Sequence, residues 1–428
     1  MKPWAIPTVY TIVSLLAALV LPRLEHHFLP GSTHAMSAAA AIAFLSATAS
    51  GIIAFTAIVF SVAFVMVQFS AVAYSPRLVV WFAGRHELHH ALGIFVATFT
   101  YAMATLLWTD RGGSGEVPAL STLLVLVLLV ASLLVFSRLV QNLAKIQITE
   151  VLVLVGDEGR RVIDAQAHLF DACTIAWAGD DQAETYRLAT PVETIVHRGP
   201  PGCVTSIDFR ALVSRAEAAG TVVELAIAVG DTLVEGDAVL RVAATASPLP
   251  ADDWLRCIHT GRERTFEQDP KYALRLLVDI AIKALSPAIN DPTTAVQALD
   301  QIDDLLRRLS PQPLGNLWIK DGAGIARLFV PMPVWEDYLA LAFDEIRQYG
   351  LTSVQVMRRL HAALAGLAGS DDTTRRIAVR RYLSHLDTAI RHSGLDPQDR
   401  TAAREEDPQG LGFARSERMD DPTAAQRK

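Results

Sequence analysis

Cysteine is scarce in this chain, with three in 428 residues, at Cys173, Cys203 and Cys257. None stands in a C-x-x-C spacing, so neither a disulfide framework nor a zinc ribbon is expected, and the usage fits a reducing compartment. Charge is scarce too: 19% of residues are charged and the net charge is -7. A nucleic-acid partner wants a basic face, and this balance supplies none. The chain also lacks a P-loop, a G-x-S-x-G elbow and a dinucleotide fingerprint. Motifs therefore disclose no reaction and call for no cofactor.

What the chain has in abundance is apolar sequence, at 51% of residues, concentrated between Trp4 and Val140. A helix needs roughly 20 apolar residues to cross the hydrocarbon core. Four spans are expected, at residues 4–21, 35–75, 91–108 and 118–137. The first ends without a small-residue cleavage site, so it reads as a retained span and not as a cleaved signal. The second is overlong. No Asp, Glu, Lys, Arg or His occurs between His34 and Arg77, and one helix of that length runs about 60 Å, roughly twice the core thickness. A hairpin broken near Gly51 is the alternative, but no polar turn marks it. Lys2, Arg77, Arg85, Arg138 and Lys145 fall on one side of these spans, against Arg23 and Arg111 on the other. The positive-inside rule then places both termini in the cytoplasm and the spans in a bacterial inner membrane.

Within the second span, Ser46, Ser50, Ala57, Ser61, Gln68 and Ser75 fall within about 60° of one another on a helical wheel. Such a stripe lines a pore in an oligomer, or it lets helices pack closely through small residues. Before the third span stands HELHH, residues 86–90. This matches H-E-x-x-H, in which His86 and His90 grip one zinc and Glu87 acts as base. A membrane-embedded zinc metallopeptidase is therefore the enzyme alternative. Only three of five positions are fixed by the pattern, however, and no third ligand motif follows, so an accidental match on an interfacial turn is the preferred reading. His26, His27 and His34 in the first loop are discounted in the same way.

Beyond Glu150 the composition becomes that of a soluble region. Residues 138–170 show mostly helical spacing at Ile148, Val151, Leu152, Val155, Val162 and Ile163, which predicts a continuation of the fourth span, although VLVLV also fits a strand. CVTSID and TVVELAIAV read as strands, FRALVSRAEAAG as a helix ended by Gly220, and AVGDTLVEGDAVLRV as strands joined by Gly-Asp turns. The Gly-Asp spacing is similar to lipoyl-type half-barrels. No lysine lies between Cys203 and Arg241, so a swinging arm is not expected.

The stretch ALSPAINDPTTA, residues 284–295, carries two prolines five residues apart. Asp269 should cap a helix that Pro270 opens and that ends near Ser286, since the residue before Pro287 avoids helical geometry. Asp291 should cap the next helix, with Pro292 in its first turn. Ser286, Asn290 and Asp291 then meet at an elbow. Asp279 and Lys283 lie one turn apart and can pair, and Thr293 and Thr294 open the outgoing helix, whose free N–H groups suit an anion. ARLFVPMPVWEDYLALAFDEIRQYG predicts a strand and then a helix entered at Pro333. Helices follow at about 353–368 and 372–392, and the charged, apolar-poor tail from Gly394 is expected to be disordered.

The segments FSVAFVMVQFSAVAYSPR, LGIFVATFTY, QDPKYALRLLVDIAIKALSPAINDPTTA and AFDEIRQYG resemble a bacterial family of predicted membrane proteins of unknown function. The resemblance covers the chain to about residue 390. It implies a multi-span N-terminal domain and a cytoplasmic C-terminal domain, and it supplies no activity. The block it centres on yields the candidate ligand site: Asp269, Asp279, Lys283, Ser286, Asn290, Asp291, Thr293 and Thr294.

The expected fold is thus a membrane α-helical domain of four spans with a long second helix, followed by an α+β cytoplasmic region. Its divisions are 1–140 transmembrane, 141–189 helical stalk or connector, 190–250 small β-rich module, 251–393 mainly helical domain and 394–428 disordered tail. The expected function is a non-enzymatic membrane protein, homo-oligomeric in the lipid bilayer, channel- or transport-related and governed by a sensing domain.

Overall fold

The computed structural model describes residues 5–28, 37–73, 86–111, 117, 119–144, 148–171, 175–177, 192–244, 248–369 and 371–412. The chain divides into two compact units, Met1–Gln147 and Ile148–Lys428.

The first unit holds four helices: α1 (Ala5–Phe28), α2 (Ala38–Ala73), α3 (His86–Arg111) and α4 (Ala119–Ala144). Each contains a window long and apolar enough to cross a membrane. Helix α3 packs against the other three. Polar side chains stitch this bundle by bonding from one helix to the next. Ser14 Oγ donates to the Ala97 carbonyl at 2.8 Å, and the Thr98 and Ser132 hydroxyls bond at 2.9 Å. The Glu25 carboxylate, 2% exposed, accepts from the N–H groups of Leu120 and Ser121. It satisfies donors that the first turn of α4 leaves free. Leu126, Val127, Val130, Leu133 and Leu134 of α4 are exposed, as befits side chains facing lipid.

Helix α2 is continuous through Gly51 and 36 residues long, which is about 54 Å. The hairpin alternative is therefore not adopted. Its packed face carries Ala41, Leu45, Ala49, Ile52 and Val59. Ser46, Ser50, Ala57, Ser61 and Gln68 are all exposed, on a face about 150° away. Within one chain, then, the stripe does not serve close helix packing. Ser75 lies outside the described residues.

In the second unit, α5 (Ile148–Asp171) packs on α8 (Pro270–Ala284) and α9 (Pro292–Leu309). It buries Val151, Leu152, Val155, Val162 and Ile163 there. The close approach explains Gly159, where a Cβ would run into Leu305 and Ala273. The segment expected as a stalk thus spends its apolar face inside this unit. It is also a separate helix from α4, with residues 145–147 outside those described. Helices α10 (Trp335–Gly350), α11 (Val354–Leu367) and α12 (Thr373–Arg391) complete the helical layer.

The strands form two sheets. The larger runs β1 (Ile175–Trp177), β8 (Leu317–Lys320), β9 (Ala326–Val330), β4 (Val223–Leu225), β6 (Ala238–Ala243), β2 (Val192–Val196). All its pairs are antiparallel except β4 with β9. The smaller runs β5 (Thr232–Leu233), β3 (Gly202–Ile207), β7 (Ile258–Gly261). Helix α6 (Phe209–Ala218) begins at the Asp208 cap and ends before Gly220, at φ +63°. It joins a core of Val204, Leu212, Val223, Leu240, Leu317 and Leu328, each 0% exposed. The helix α7 (Ala251–Leu255) adds Trp254 to that core.

Three expectations are corrected here. The β-rich segment 190–250 is not a self-contained module, because β1, β8 and β9 from outside it build half of the larger sheet. Of TVVELAIAV only Val223–Leu225 is strand, because Ala226 to Val229 turn away to reach β5. The tail, expected to be disordered from Gly394, holds a short helix α13 (Pro397–Ala402) and is described to residue 412. Arg358, from α11, donates to the Ala402 and Gly412 carbonyls and pairs with Glu405. Asp407, 1% exposed, accepts from the N–H groups of Gln409, Gly410 and Gly412. Charge-assisted bonds hold this segment where apolar side chains are lacking, which is why composition misjudged it.

Candidate functional site

Helix α8 has an Asp-Pro start at its own N-terminus and runs into a second one at its C-terminal end. The residues expected to form one site are divided between these two ends. Fifteen residues of helix separate them by about 22 Å.

At the C-terminal end lies the elbow. The N–H groups of Ile289 and Asn290 donate to the Ser286 carbonyl, and the Asp291 N–H reaches back to the Ala284 carbonyl at 2.8 Å. The Ser286 hydroxyl donates to the Lys283 carbonyl. Asn290 is exposed and stands at φ 50°, a left-handed conformation that asparagine tolerates better than most residues. Asp291 caps α9 as expected: Oδ1 accepts from the Thr294 N–H at 3.1 Å, and Oδ2 from the Thr294 hydroxyl at 2.5 Å. Thr294 is buried and Thr293 exposed. Asp279 pairs with Arg275, one turn earlier on the same helix. The elbow therefore brings Ser286, Asn290, Asp291 and Thr294 together, and its polar atoms are largely spent on one another.

At the N-terminal end Asp269 caps α8 through Oδ1, which accepts from the Lys271 N–H at 3.1 Å. The side chain is 1% exposed, and among the described residues no group donates a hydrogen bond to Oδ2. The Arg264 guanidinium comes no nearer than 3.7 Å, too far for a hydrogen bond. Gly230, at φ +92°, sits against that oxygen, and a Cβ there would collide with the carboxylate. The loop before Asp269 is pinned by Gln268, whose side chain both accepts from and donates to the Ile207 backbone. Lys271 Nζ donates to the Val229 carbonyl at 3.1 Å.

Asp269 forms part of the wall of a cavity of about 220 Å³. Val162, Ala165 and Leu169 of α5 close one side, and Phe209, Met332 and Tyr338 close the others. Burial pushes the Asp269 carboxyl above the usual carboxylate range, and the opposing pull of Lys271 and Arg264 does not cancel it. Burial, and after it the Asp269 charge, pushes the Tyr338 phenol up. Cys203, packed nearby and donating to the Gly230 carbonyl, is also pushed up by burial, which leaves it an unreactive thiol. The cavity can thus receive a small, mainly apolar body, with the Asp269 carboxyl buried behind its wall. Sequence reading reached Asp269 but missed Gly230, Phe209, Lys271 and Tyr338. The one legible signal was the Gly-Asp turn at Gly230.

The HELHH residues open α3. The side chains of His86 and Glu87 lie outside those described, and the Tyr10 hydroxyl is 3.3 Å from His90 Nδ1. Among the described residues no three His, Cys, Asp or Glu side chains are grouped to hold a metal ion.

Uncharacterized proteins of Mycobacterium bovis and Mycobacterium tuberculosis are each 29% identical to this chain over 355 residues, 80% of this chain and 67% of each relative. No solved structure matches. A family profile covers residues 2–366, including α8, both of its ends and the walls of the cavity. The chain belongs to the family described as predicted membrane protein, DUF2254.

Proposed function

We propose that this membrane protein is a sensor: its C-terminal unit, on the cytoplasmic side of the bacterial inner membrane, binds a small molecule in the Asp269 cavity, and the four-helix unit carries the response. The observation that carries this reading is Asp269 itself. A carboxylate 1% exposed, with one oxygen lacking a donor, stands at an apolar cavity wall. Leaving a buried acceptor unsatisfied costs about 1–3 kcal/mol, and a functional role is one of the explanations such a group calls for.

The response unit is homo-oligomeric through α2 in this reading, and channel- or transport-related. Ser46, Ser50, Ser61 and Gln68 are exposed on the face that the chain's own helices leave free. Lipid offers their polar groups no partners, whereas another α2 does. The excess of Lys and Arg on one side of the spans supports the cytoplasmic placement. A reporter active only in the periplasm, fused after residue 393, should accordingly be silent. The sensing role is tested by a thermal-stability screen of the purified full chain against a small-molecule library. Hits that vanish in Ala165→Leu, which adds bulk to the cavity wall, support it. A library with no such hit removes the reading.

A further inference from the structure

We infer that the molecule taken by the Asp269 cavity is small, neutral and chiefly apolar, an aromatic or branched aliphatic body that carries no charge. This rests on the reading of the cavity as a binding site and adds the ligand's chemistry.

The walls supply the first argument. Val162, Leu169, Phe209, Val229, Met332 and Pro333 present aliphatic, aromatic and thioether surface to the cavity. They come from α5, from α6, from the turn before Gly230 and from the segment before α10, so the apolar lining is not the face of one element. Covering such surface is favourable in proportion to its area.

The polar side chains of the wall supply the second, because their charges are committed elsewhere. Gln268 spends its amide on the Ile207 backbone, and Lys271 Nζ donates to the Val229 carbonyl. Asp269 gives Oδ1 to the Lys271 N–H, and Oδ2 lies against Gly230 and Arg264, neither of which lines the cavity. Glu267 is exposed to solvent. What remains is uncharged: the half-buried Gln166 amide, and the Tyr338 phenol, which burial keeps in its protonated form. A charged ligand would therefore leave water without an opposite charge to meet it, which costs far more than burying an uncharged group.

Size sets the limit. A cavity of about 150 Å³ accommodates benzene. By proportion, the 220 Å³ here accommodates about nine non-hydrogen atoms. Isopropylbenzene, phenethyl alcohol, phenethylamine and benzoate all have that size and differ in charge.

The test titrates these four probes against the full chain in detergent near pH 7, where the amine is a cation and benzoate an anion. Binding is read as the rise in melting temperature of the native protein beyond that of Ala165→Leu, since a shift common to both reports the micelle. Ala165 is exposed, so the fold can accept leucine there. Isopropylbenzene and phenethyl alcohol should stabilise the native protein and not the variant. The two ions should bind about 100-fold more weakly or worse. Gln166→Leu makes the wall more apolar and should tighten isopropylbenzene about threefold. If either ion stabilises as well as the neutral probes, or if Gln166→Leu abolishes their binding, the ligand is not a neutral apolar molecule, while the cavity survives as a binding site. If no probe shifts the native protein beyond Ala165→Leu, the ligand class and the cavity reading both fall.

Discussion

The two Asp-Pro starts that bracket α8 are chemically alike and structurally opposite. Asp269 and Asp291 each cap a helix, and each is followed by a proline in the first turn. Asp291 spends both oxygens on Thr294 and stays partly exposed. Asp269 spends one oxygen on its cap and keeps the other, 1% exposed, without a donor. The same dipeptide therefore spends all its side-chain oxygens on its own cap at one end and leaves one buried oxygen without a donor at the other. Local sequence sets the cap, and the side chains packed around it decide whether anything is left over for chemistry.

The sharpest way to break the comparison is at Gly230, which has no counterpart at the elbow. Its φ of +92° is strained for any side chain, and a Cβ there would meet the Asp269 carboxylate. Gly230→Ala should cost about 1–3 kcal/mol for the backbone conformation alone, with the collision added. It should give the largest fall in melting temperature of the variants considered. Adding Asp269→Ala to Gly230→Ala should recover part of that fall. Strict additivity of the two changes would mean that the glycine is not held by the carboxylate.

Next in size is Asp291→Ala, which removes acceptors from both the Thr294 N–H and its hydroxyl. A lost cap costs about 0.5–2 kcal/mol. Here the upper part of that range is expected, since Thr294 is 6% exposed and water replaces the bonds poorly. An unchanged denaturation midpoint would show that the elbow is held by something other than this cap.

The part of this comparison that was legible in sequence is the part that depends on neighbours along the chain. Asp before Pro, a helical apolar spacing and a proline stop are local signals, and they located both caps, α8 and α9. The uncharged run between His34 and Arg77 likewise predicted a single helix for α2, because a turn in that run would have needed polar residues it does not contain. The burial of Asp269 was not legible. It depends on α5, on the Ala228–Gly230 turn and on Tyr338, which reach α8 from distant parts of the chain. The larger sheet was hidden for the same reason, since β4 lies beside β9, about a hundred residues later, and no periodicity reports such pairing. The ordered tail was hidden differently: its anchors are Arg358 and Asp407 bonding to backbone, and apolar composition is blind to those.

A smaller effect, with a sign fixed by burial, is expected for Asp269→Asn. Burial raises the Asp269 carboxyl, so the folded state favours the protonated form more than the unfolded state does. Its contribution to stability is complete below the ordinary aspartate range and is lost as pH rises through the raised value. Asparagine carries no such dependence. The two proteins should melt alike near pH 4, and the variant should gain on the native protein by a few degrees toward pH 8. The helix dipole opposes this by about 0.3–1 kcal/mol, since it favours a negative cap, but burial is the largest cause acting on this group. A variant that loses stability relative to the native protein as pH rises would mean that the carboxylate is well solvated or well paired, and the contrast with Asp291 would vanish.

The smallest effect concerns Asn290, which separates the elbow's geometry from any role of its side chain. At φ 50° the residue is left-handed, where alanine is penalised by about 1–2 kcal/mol and glycine is not. The side chain is exposed, so losing the amide itself should cost little. If the elbow is architecture, Asn290→Gly should melt within a degree or so of the native protein, and Asn290→Ala should melt lower. The glycine variant is the informative one, because it keeps the backbone and deletes the amide. A ligand response or membrane output that fails in Asn290→Gly while the melting temperature holds would give the amide a binding role, and the elbow would then count as a second site about 22 Å from the first.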